Sequence, residues 1–127
     1  MPLKVIQFWS YSTGDNTLLE RVLAGKKRAI VSRLHSQRPG TIDPRHFSVG
    51  EEAMVQDAQQ RLRGRIRVTD IYQAAFAAIP EKLWQAEGCC DAEHLQAVMR
   101  HGWPDELLDE DYVFLAMHFD LVEVISD

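Results

Sequence analysis

The order of strand-like and helix-like segments constrains the fold of this chain more than any other feature. Apolar, β-prone segments bounded by turn residues cover residues 3–9, 29–34, 52–57, 64–75 and 112–125. Helical patterns lie between them, and the two kinds of segment do not alternate regularly, which disfavours a doubly wound nucleotide-binding fold. Five or six short strands with helices at the ends predict a mainly β fold with helices, a small and partly closed mixed β-barrel capped by helices.

Length and composition limit the class of protein further. The 127 residues predict one domain spanning residues 1–127. No apolar run approaches the ~20 residues that cross a bilayer, and the first residues do not resemble a signal peptide, so no membrane association is expected. Two adjacent cysteines, Cys89 and Cys90, cannot build a disulfide framework. These features predict a cytoplasmic protein.

Charge is distributed unevenly along the chain. Residues 21–67 contain eleven Lys and Arg and four acids, a net +7, whereas the other residues contain three bases and fifteen acids, a net −12. The total of −5 argues against nonspecific coating of nucleic acid. Two interpretations remain open at this point: the basic segment forms one positive patch, or the fold interleaves the charges of both parts.

Several short patterns predict where the elements begin and end. Thr17 followed by Glu20 is a capping box, and Gly25 is placed to end the same helix. Asp91 is placed to cap a later helix, whose apolar residues Leu95, Val98 and Met99 are expected to face inward. Residues 35–48 are rich in turn formers and predict a long exposed loop.

Two charged residues at element junctions are candidates for chemistry. Lys27 lies between a helix end and a strand, where a lysine can grip phosphate or act as a base or nucleophile, or simply complement the helix dipole. Glu87 ends a short helix, where the negative dipole end raises the proton affinity of a carboxylate, as a general base requires. The alternative is an exposed surface glutamate. Adjacent Cys89 and Cys90 do not have zinc-ligand spacing, so neither a metal nor a cofactor is predicted.

The order of the motifs resembles that of ASCH domains. Residues 23–29, LAGKKRA, match the glycine-lysine-lysine motif that opens the family pattern. Residues 49–51, VGE, match its next turn, and residues 86–88, AEG, match the motif at the end of its short helix. Strands like residues 68–76 and 112–124 complete the pattern, so that the resemblance spans nearly the whole chain.

The resemblance implies a PUA-like fold and a link to RNA recognition. Some ASCH domains are ribonucleases, and others are amidohydrolases of N(4)-acetylcytidine in which a lysine, a threonine and a glutamate act together. Carried over, the lysine is Lys27 and the glutamate is Glu87, but the two threonine positions hold Arg28 and Ile30. Ser32 lies two residues beyond Ile30 on the same strand face, where it could supply the hydroxyl about 6–7 Å further along.

Three functional hypotheses therefore stand. In the first, the chain binds RNA, a nucleotide or a modified nucleoside in a cleft flanked by Lys27 and Glu87, with Lys26, Arg28 and Arg33 on phosphate and Tyr11 stacking on a base. In the second, Lys27, Glu87 and Ser32 catalyse hydrolysis of a modified nucleoside or of RNA. In the third, the acidic C-terminal half binds a basic protein. Because neither Lys27 nor Glu87 has the sequence surroundings of a core residue, substitutions there are expected to leave the fold intact.

Overall fold

The computed structural model describes residues 3–7, 17–34 and 44–125, in which strands predominate. Five strands are present in this part of the chain: β1 Lys4–Gln7, β2 Ala29–Arg33, β3 Glu52–Gln56, β4 Leu62–Ala75 and β5 Val113–Val124. Its helices are α1 Thr17–Leu23, α2 Glu81–Ala86 and α3 Ala92–Gly102, with short 3-10 turns at Pro44–His46 and Phe76–Ala78. Each predicted strand is therefore present, within three residues at each described end. Residues 8–9 of the first and residues 35–43 of the predicted loop lie outside the described residues.

The five strands form one curled, open sheet. Their order is β1-β3-β4-β5-β2, with β1 parallel to β3 and the other three pairings antiparallel. The sheet has the curvature of a half-barrel, which confirms the mixed α+β architecture predicted from the segment order. Within the described residues β1 and β2 are the two edges of the sheet.

Two apolar clusters lie on opposite faces of this sheet. Along β2, Ile30 faces one cluster, whereas Ala29 and Val31 face the other, as the two-residue period of a strand requires. The first cluster packs α1 on the sheet and contains Ile6, Leu19, Val22, Ile66, Val68, Met117 and Phe119, among others. The second packs α2 and α3 on the sheet through Phe76, Leu83, Ala86, Leu95, Met99 and Phe114, among others. Burial of side chains of this size contributes roughly 1.5–3 kcal/mol each, so both faces hold the helices in place.

The local signals for helix ends are largely confirmed. Gly25 ends α1 with φ of +75°, and the Asp91 side chain accepts a hydrogen bond from the His94 amide at 2.8 Å. The Thr17 side chain lies outside the described residues. The inward orientation expected of Val98 is wrong, because its side chain is 40% exposed. Leu95 and Met99 define the buried stripe of α3, and Val98 lies about 80° from the centre of that stripe.

None of the described helices combines the length and the apolar character that crossing a bilayer requires.

Candidate functional site

Lys27 and Glu87, the two residues singled out at element junctions, are in direct contact. The Lys27 Nζ lies 2.6 Å from Glu87 Oε1, although sixty positions separate the residues along the chain. Their side chains are only 9% and 7% exposed. The expectation that neither residue belongs to the interior is therefore wrong: helix α2 covers the junction, and the two charges are buried against each other.

Backbone hydrogen bonds bring the two residues together. At the end of α1, the amides of Lys26 and Lys27 both donate to the Arg21 carbonyl, at 2.9 and 3.2 Å. The next amide, that of Arg28, donates to the Ala86 carbonyl in the last turn of α2, at 2.6 Å. The end of α2 is thus tied to the residues that lead into the edge strand β2, and Glu87 follows directly after this tie.

A glycine permits this close approach. Gly88 has φ of +80°, a conformation that residues with a side chain rarely adopt. A Cβ at this position would lie 3.1 Å from the Lys26 carbonyl oxygen. The last residues of the AEG motif therefore have a structural explanation: glutamate provides the charge, and glycine allows the chain to turn against Lys26.

The buried pair lies where two helices end. Lys27 follows the C-terminus of α1, and Glu87 is the C-cap of α2, so the ammonium group compensates both the carboxylate and the negative ends of the helix dipoles. Nearby, burial and then the Glu87 carboxylate raise the pKa of the Cys89 thiol to about 11, while Lys27 and Arg21 oppose this shift. The Cys89 thiol is consequently protonated near neutral pH and is a poor nucleophile.

Three exposed cations belong to residues that are bonded to this region through the backbone, and together we call them the junction cations: Arg21, Lys26 and Arg28. All three are exposed, and none of them makes an ion pair with another described residue. Each is tied to the pair through the backbone, because Arg21 accepts from Lys26 and Lys27 while Arg28 bonds to α2. Three exposed positive charges are therefore attached to the backbone next to a buried pair whose own charges cancel.

The four arginines of β4 and of the turn before it pair with carboxylates, which contradicts the interpretation of one contiguous positive patch along β4. The Asp57 carboxylate is 2.9 Å from the Arg61 Nε and 3.5 Å from Arg63, and Glu52 contacts both Arg65 and Arg67, at 2.9 and 2.7 Å. Burial would raise the pKa of the Asp57 carboxyl, but hydrogen bonds from Arg61 and Gln59 lower it below its usual value. These arginines pair with acids of their own segment and stabilise the hairpin.

The other predicted site residues lie elsewhere. Ser32 is 2% exposed and shares a strand face with Ile30, whereas α2 packs with Ala29 on the other face of the sheet. Arg33 lies 3.7 Å from Glu106 and 5.8 Å from the ring centre of Trp103. Tyr11 lies outside the described residues. The structure thus brings together Lys26, Lys27, Arg28 and Glu87, and it does not place Ser32 or Arg33 with them.

A second polar cluster, which the sequence did not indicate, lies beside α2. The Tyr72 Oη is 2.7 Å from the His118 Nε2, and the two rings stack with centroids 5.4 Å apart and planes inclined by 25°. The Lys82 ammonium lies 2.9 Å from Asp70 and 4.6 Å from the centre of the Tyr72 ring. We call these four residues the Tyr72–His118 cluster. Asp70 and Tyr72 are two residues apart on β4 and so share a face of the strand, which is the one feature of the sequence that could have indicated this cluster. Only the register of β4 and β5 brings His118 to them.

Tyr72 and His118 are both uncharged near neutral pH. Burial, reinforced by the Asp70 carboxylate, raises the pKa of Tyr72 to about 12. Burial also lowers the pKa of His118 below its usual value; Lys82 and Arg28 add to this shift, and Asp70 opposes it. The phenol and the imidazole therefore share a hydrogen bond between neutral groups.

The curled sheet with helices over it has the shape of a PUA-like half-barrel. Several solved structures share this fold. A protein of Enterococcus faecalis described by the family model DUF984 is 20% identical, with a TM-score of 0.68 over 100% of this chain and 85% of its own. An ASCH domain from Lactobacillus crispatus is also 20% identical, with a TM-score of 0.68 over 94% of this chain and 80% of its own. ASCH from Zymomonas mobilis is 13% identical, with a TM-score of 0.53 over 96% and 71%. No family model and no curated protein matches the sequence. The chain has the ASCH-domain fold, as the order of its motifs predicted.

Proposed function

We propose that this chain binds a nucleotide or a short single strand of RNA at the junction of α1, β2 and α2. The observation that carries the proposal is the set of junction cations, Arg21, Lys26 and Arg28, which are exposed and unpaired among the described residues. Phosphate oxygens are the usual partners of such cations in proteins that bind nucleic acid. The ASCH fold adds support, because the family that the motifs resemble is linked to RNA recognition.

The buried pair has a positioning role in this proposal. The Glu87 carboxylate neutralises Lys27, so the Lys27 ammonium is not available as the main phosphate ligand. The pair instead fixes the end of α2 against residues 26–28 and thereby sets the spacing of Lys26 and Arg28. The net charge of −5 disfavours binding along a long strand, so a small ligand or a few nucleotides suit the junction better.

Salt dependence of binding tests the proposal. With two or three phosphates contacted, log K for a short RNA is expected to fall with log[salt] with a slope of about −1.4 to −2, because ~0.7 counterions are released per phosphate of a single strand. The double substitution Lys26→Gln and Arg28→Gln should weaken binding by about tenfold or more and flatten the slope by about 1.4. Fluorescence anisotropy with a labelled tetranucleotide between 50 and about 300 mM salt measures both quantities.

Arg67→Gln is the matched control for a single loss of charge. Arg67, on β4, belongs to the same basic segment but pairs with Glu52 of β3, so its removal should leave both the affinity and the slope near those of the wild type. An equal effect of Arg67→Gln and Arg28→Gln would show that only net charge matters, and it would contradict a site at the junction. Binding that does not depend on salt would contradict it as well.

Hydrolysis of a modified nucleoside is a second candidate, which the buried contact between Lys27 and Glu87 favours. A carboxylate 2.6 Å from an ammonium group in a desolvated place is an arrangement that can hold and transfer a proton. The resemblance implies such a role for a lysine and a glutamate at these positions. Ile30, which stands where the family motif has a threonine, is buried in the first apolar cluster and carries no hydroxyl.

The assay for this candidate is release of acetate from N(4)-acetylcytidine. If the chain is an amidohydrolase, Glu87→Gln should reduce kcat by roughly 10²–10⁴ in protein that circular dichroism shows to be folded. Ile30→Thr should raise turnover, because it restores the hydroxyl of the family motif. Absence of turnover in the wild type and in Ile30→Thr would exclude this activity and would leave binding as the proposal.

A further inference from the structure

We propose that His118, held by Tyr72, donates a hydrogen bond to a phosphate of the bound RNA and so extends the site from Arg28 along α2. This inference rests on the proposed binding of nucleotides at the junction cations. His118 is a neutral hydrogen-bond donor that becomes cationic on protonation, so the affinity of the site depends on pH. The ligand group that His118 contacts is a phosphodiester of a short RNA strand.

His118 lies next to Arg28 across the ladder between β2 and β5. The Arg28 carbonyl accepts from the Phe119 amide at 2.9 Å, and Ala29 lies opposite His118 in the ladder between β2 and β5. Residues opposite each other in an antiparallel ladder have Cα atoms roughly 4.5–5.5 Å apart. His118 therefore lies one residue across the sheet from the junction, on the face that carries α2, since Ala29 belongs to the helix-side cluster.

The hydrogen bond to Tyr72 determines which ring nitrogen of His118 carries the proton. A neutral imidazole has one donor and one acceptor nitrogen, and a phenol is the stronger donor of the two groups. We therefore assign the Tyr72 hydroxyl as the donor to Nε2, which places the imidazole proton on Nδ1. No described residue forms a hydrogen bond with Nδ1. The partly exposed ring thus presents an N–H group that is oriented by Tyr72 and free to bind a ligand.

The charged groups around His118 favour an anion. Asp70 and Tyr72 face it from β4, Lys82 faces it from α2, and Arg28 precedes β2. Asp70, the one acid in this set, is already engaged by Lys82 at 2.9 Å. Arg28 therefore adds a positive charge that Asp70 does not pair with, and burial, followed by Lys82 and Arg28, lowers the pKa of His118 in the unliganded protein. A phosphate that binds between Arg28 and His118 reverses this balance and favours the protonated imidazole.

The affinity for a phosphodiester should rise as the pH falls. The pKa of His118 lies below its usual value in the free protein, and a bound phosphodiester raises it, so a proton is taken up on binding. Affinity should then increase as the pH falls from 8 to about 5.5, by roughly tenfold for a rise of one pKa unit. A phosphodiester probe is needed, because its own charge does not change in this range.

The experiment measures binding of the tetranucleotide UUUU between pH 8 and about 5.5 at constant ionic strength. Wild type should bind about tenfold more tightly at the low end, and His118→Gln should bind with an affinity that does not vary with pH. His101→Gln, in which an exposed histidine of α3 is replaced, is the control and should retain the wild-type pH dependence. UMP is the second probe: a matching loss of affinity for UMP in His118→Gln at pH 8 would assign the contact to a free nucleotide and overturn the assignment to a strand.

A second measurement does not depend on whether the variants fold. Two-dimensional NMR spectra of the histidine side chains of the wild type should show that the His118 Nδ1 is protonated at pH 8. The pKa of the His118 imidazole should rise when UUUU is added. As a separate check that does use a variant, Tyr72→Phe, which removes the donor to Nε2, should shift the tautomer toward protonated Nε2 and reduce the affinity at pH 8.

The outcomes separate this inference from the proposal on which it rests. Salt-dependent binding of UUUU that is unchanged by pH, or a pH effect that persists in His118→Gln, would overturn the role of His118 and leave the junction cations intact. Absence of UUUU binding at every pH would overturn both. Salt-dependent binding together with an unshifted His118 pKa in the complex would also contradict the phosphate contact.

Discussion

Lys27→Ala is expected to lower the free energy of unfolding by about 3–5 kcal/mol, because it would leave the Glu87 carboxylate buried without its cation. Glu87→Ala should have a cost of similar size, since the Lys27 ammonium would then be the unpaired charge. Both side chains are less than a tenth exposed, so water cannot compensate the missing partner as it does at the surface. Urea unfolding followed by tryptophan fluorescence measures the change as a shift of the midpoint at constant slope.

The double variant Lys27→Met with Glu87→Leu is the control that separates the two charges from their packing. Replacing both members of a buried ion pair with apolar side chains is often neutral in stability, because neither charge remains to be desolvated. The double variant should therefore be more stable than either single variant, with a coupling of several kcal/mol in the cycle. If each single variant lost less than ~1 kcal/mol, the pair would behave as an exposed ion pair and its burial would be refuted.

This prediction changes how activity data should be interpreted. A loss of turnover or binding in Lys27→Ala can result from partial unfolding rather than from loss of a chemical group. Glu87→Gln is the more useful substitution, because the amide oxygen can still accept a hydrogen bond from Lys27 while the carboxylate charge is removed. Its folded fraction must be measured before a change in kcat is assigned to the chemical step.

Gly88→Ala is expected to destabilise the fold by about 2–3 kcal/mol and to weaken RNA binding with it. A left-handed backbone costs a residue with a side chain about 1–2 kcal/mol, and here the new Cβ would also press on the Lys26 carbonyl oxygen 3.1 Å away. A backbone atom cannot move aside as the end of a flexible side chain does. The end of α2 should therefore shift away from residues 26–28, and the contact between Lys27 and Glu87 should loosen.

Gly25→Ala is the matched control for backbone strain alone. Gly25 has nearly the same φ, +75°, but a Cβ there would meet no atom within 4 Å. Its substitution should cost only the strain, about 1–2 kcal/mol, and should leave the α2 end in place. Thermal unfolding of both variants, with binding of the tetranucleotide measured at a temperature where both are folded, checks the difference. Equal losses in the two variants would show that the approach of Gly88 to Lys26 has no energetic importance.

Local patterns were enough to predict most elements of this fold. The helix stop at Gly25 and the cap at Asp91 depend only on residues within one turn, and both are confirmed. The apolar, β-prone segments at residues 64–75 and 112–125 predicted long strands, because the composition of a strand and the turn residues that bound it are local features. The burial of Val98 was predicted wrongly, because Val98 lies at the edge of the apolar stripe of α3. Whether an edge residue is buried depends on the surface that the helix packs against.

The charges could not be interpreted from local patterns. Lys27 and Glu87 were identified as candidates, but their burial depends on α2 lying across the end of β2, which is a contact between distant parts of the chain. The arginines of β4 contributed to the apparent positive segment, yet Glu52 stands opposite Arg67 only after β3 and β4 pair. In each case a charge that is free in the sequence acquires its partner through folding.

The sequence by itself determined the order of strands and helices, the turn at Gly25 and the motifs at Lys27 and Glu87, because these depend on neighbours within a few residues. The tertiary structure alone decided which cations remain unpaired, that Lys27 and Glu87 are buried, and that His118 meets Tyr72. The physical reason is that strand register and helix docking set distances between residues far apart in the chain. The electrostatic energy of a charge, and hence its availability to a ligand, depends on those distances and on the water that the docked α2 excludes.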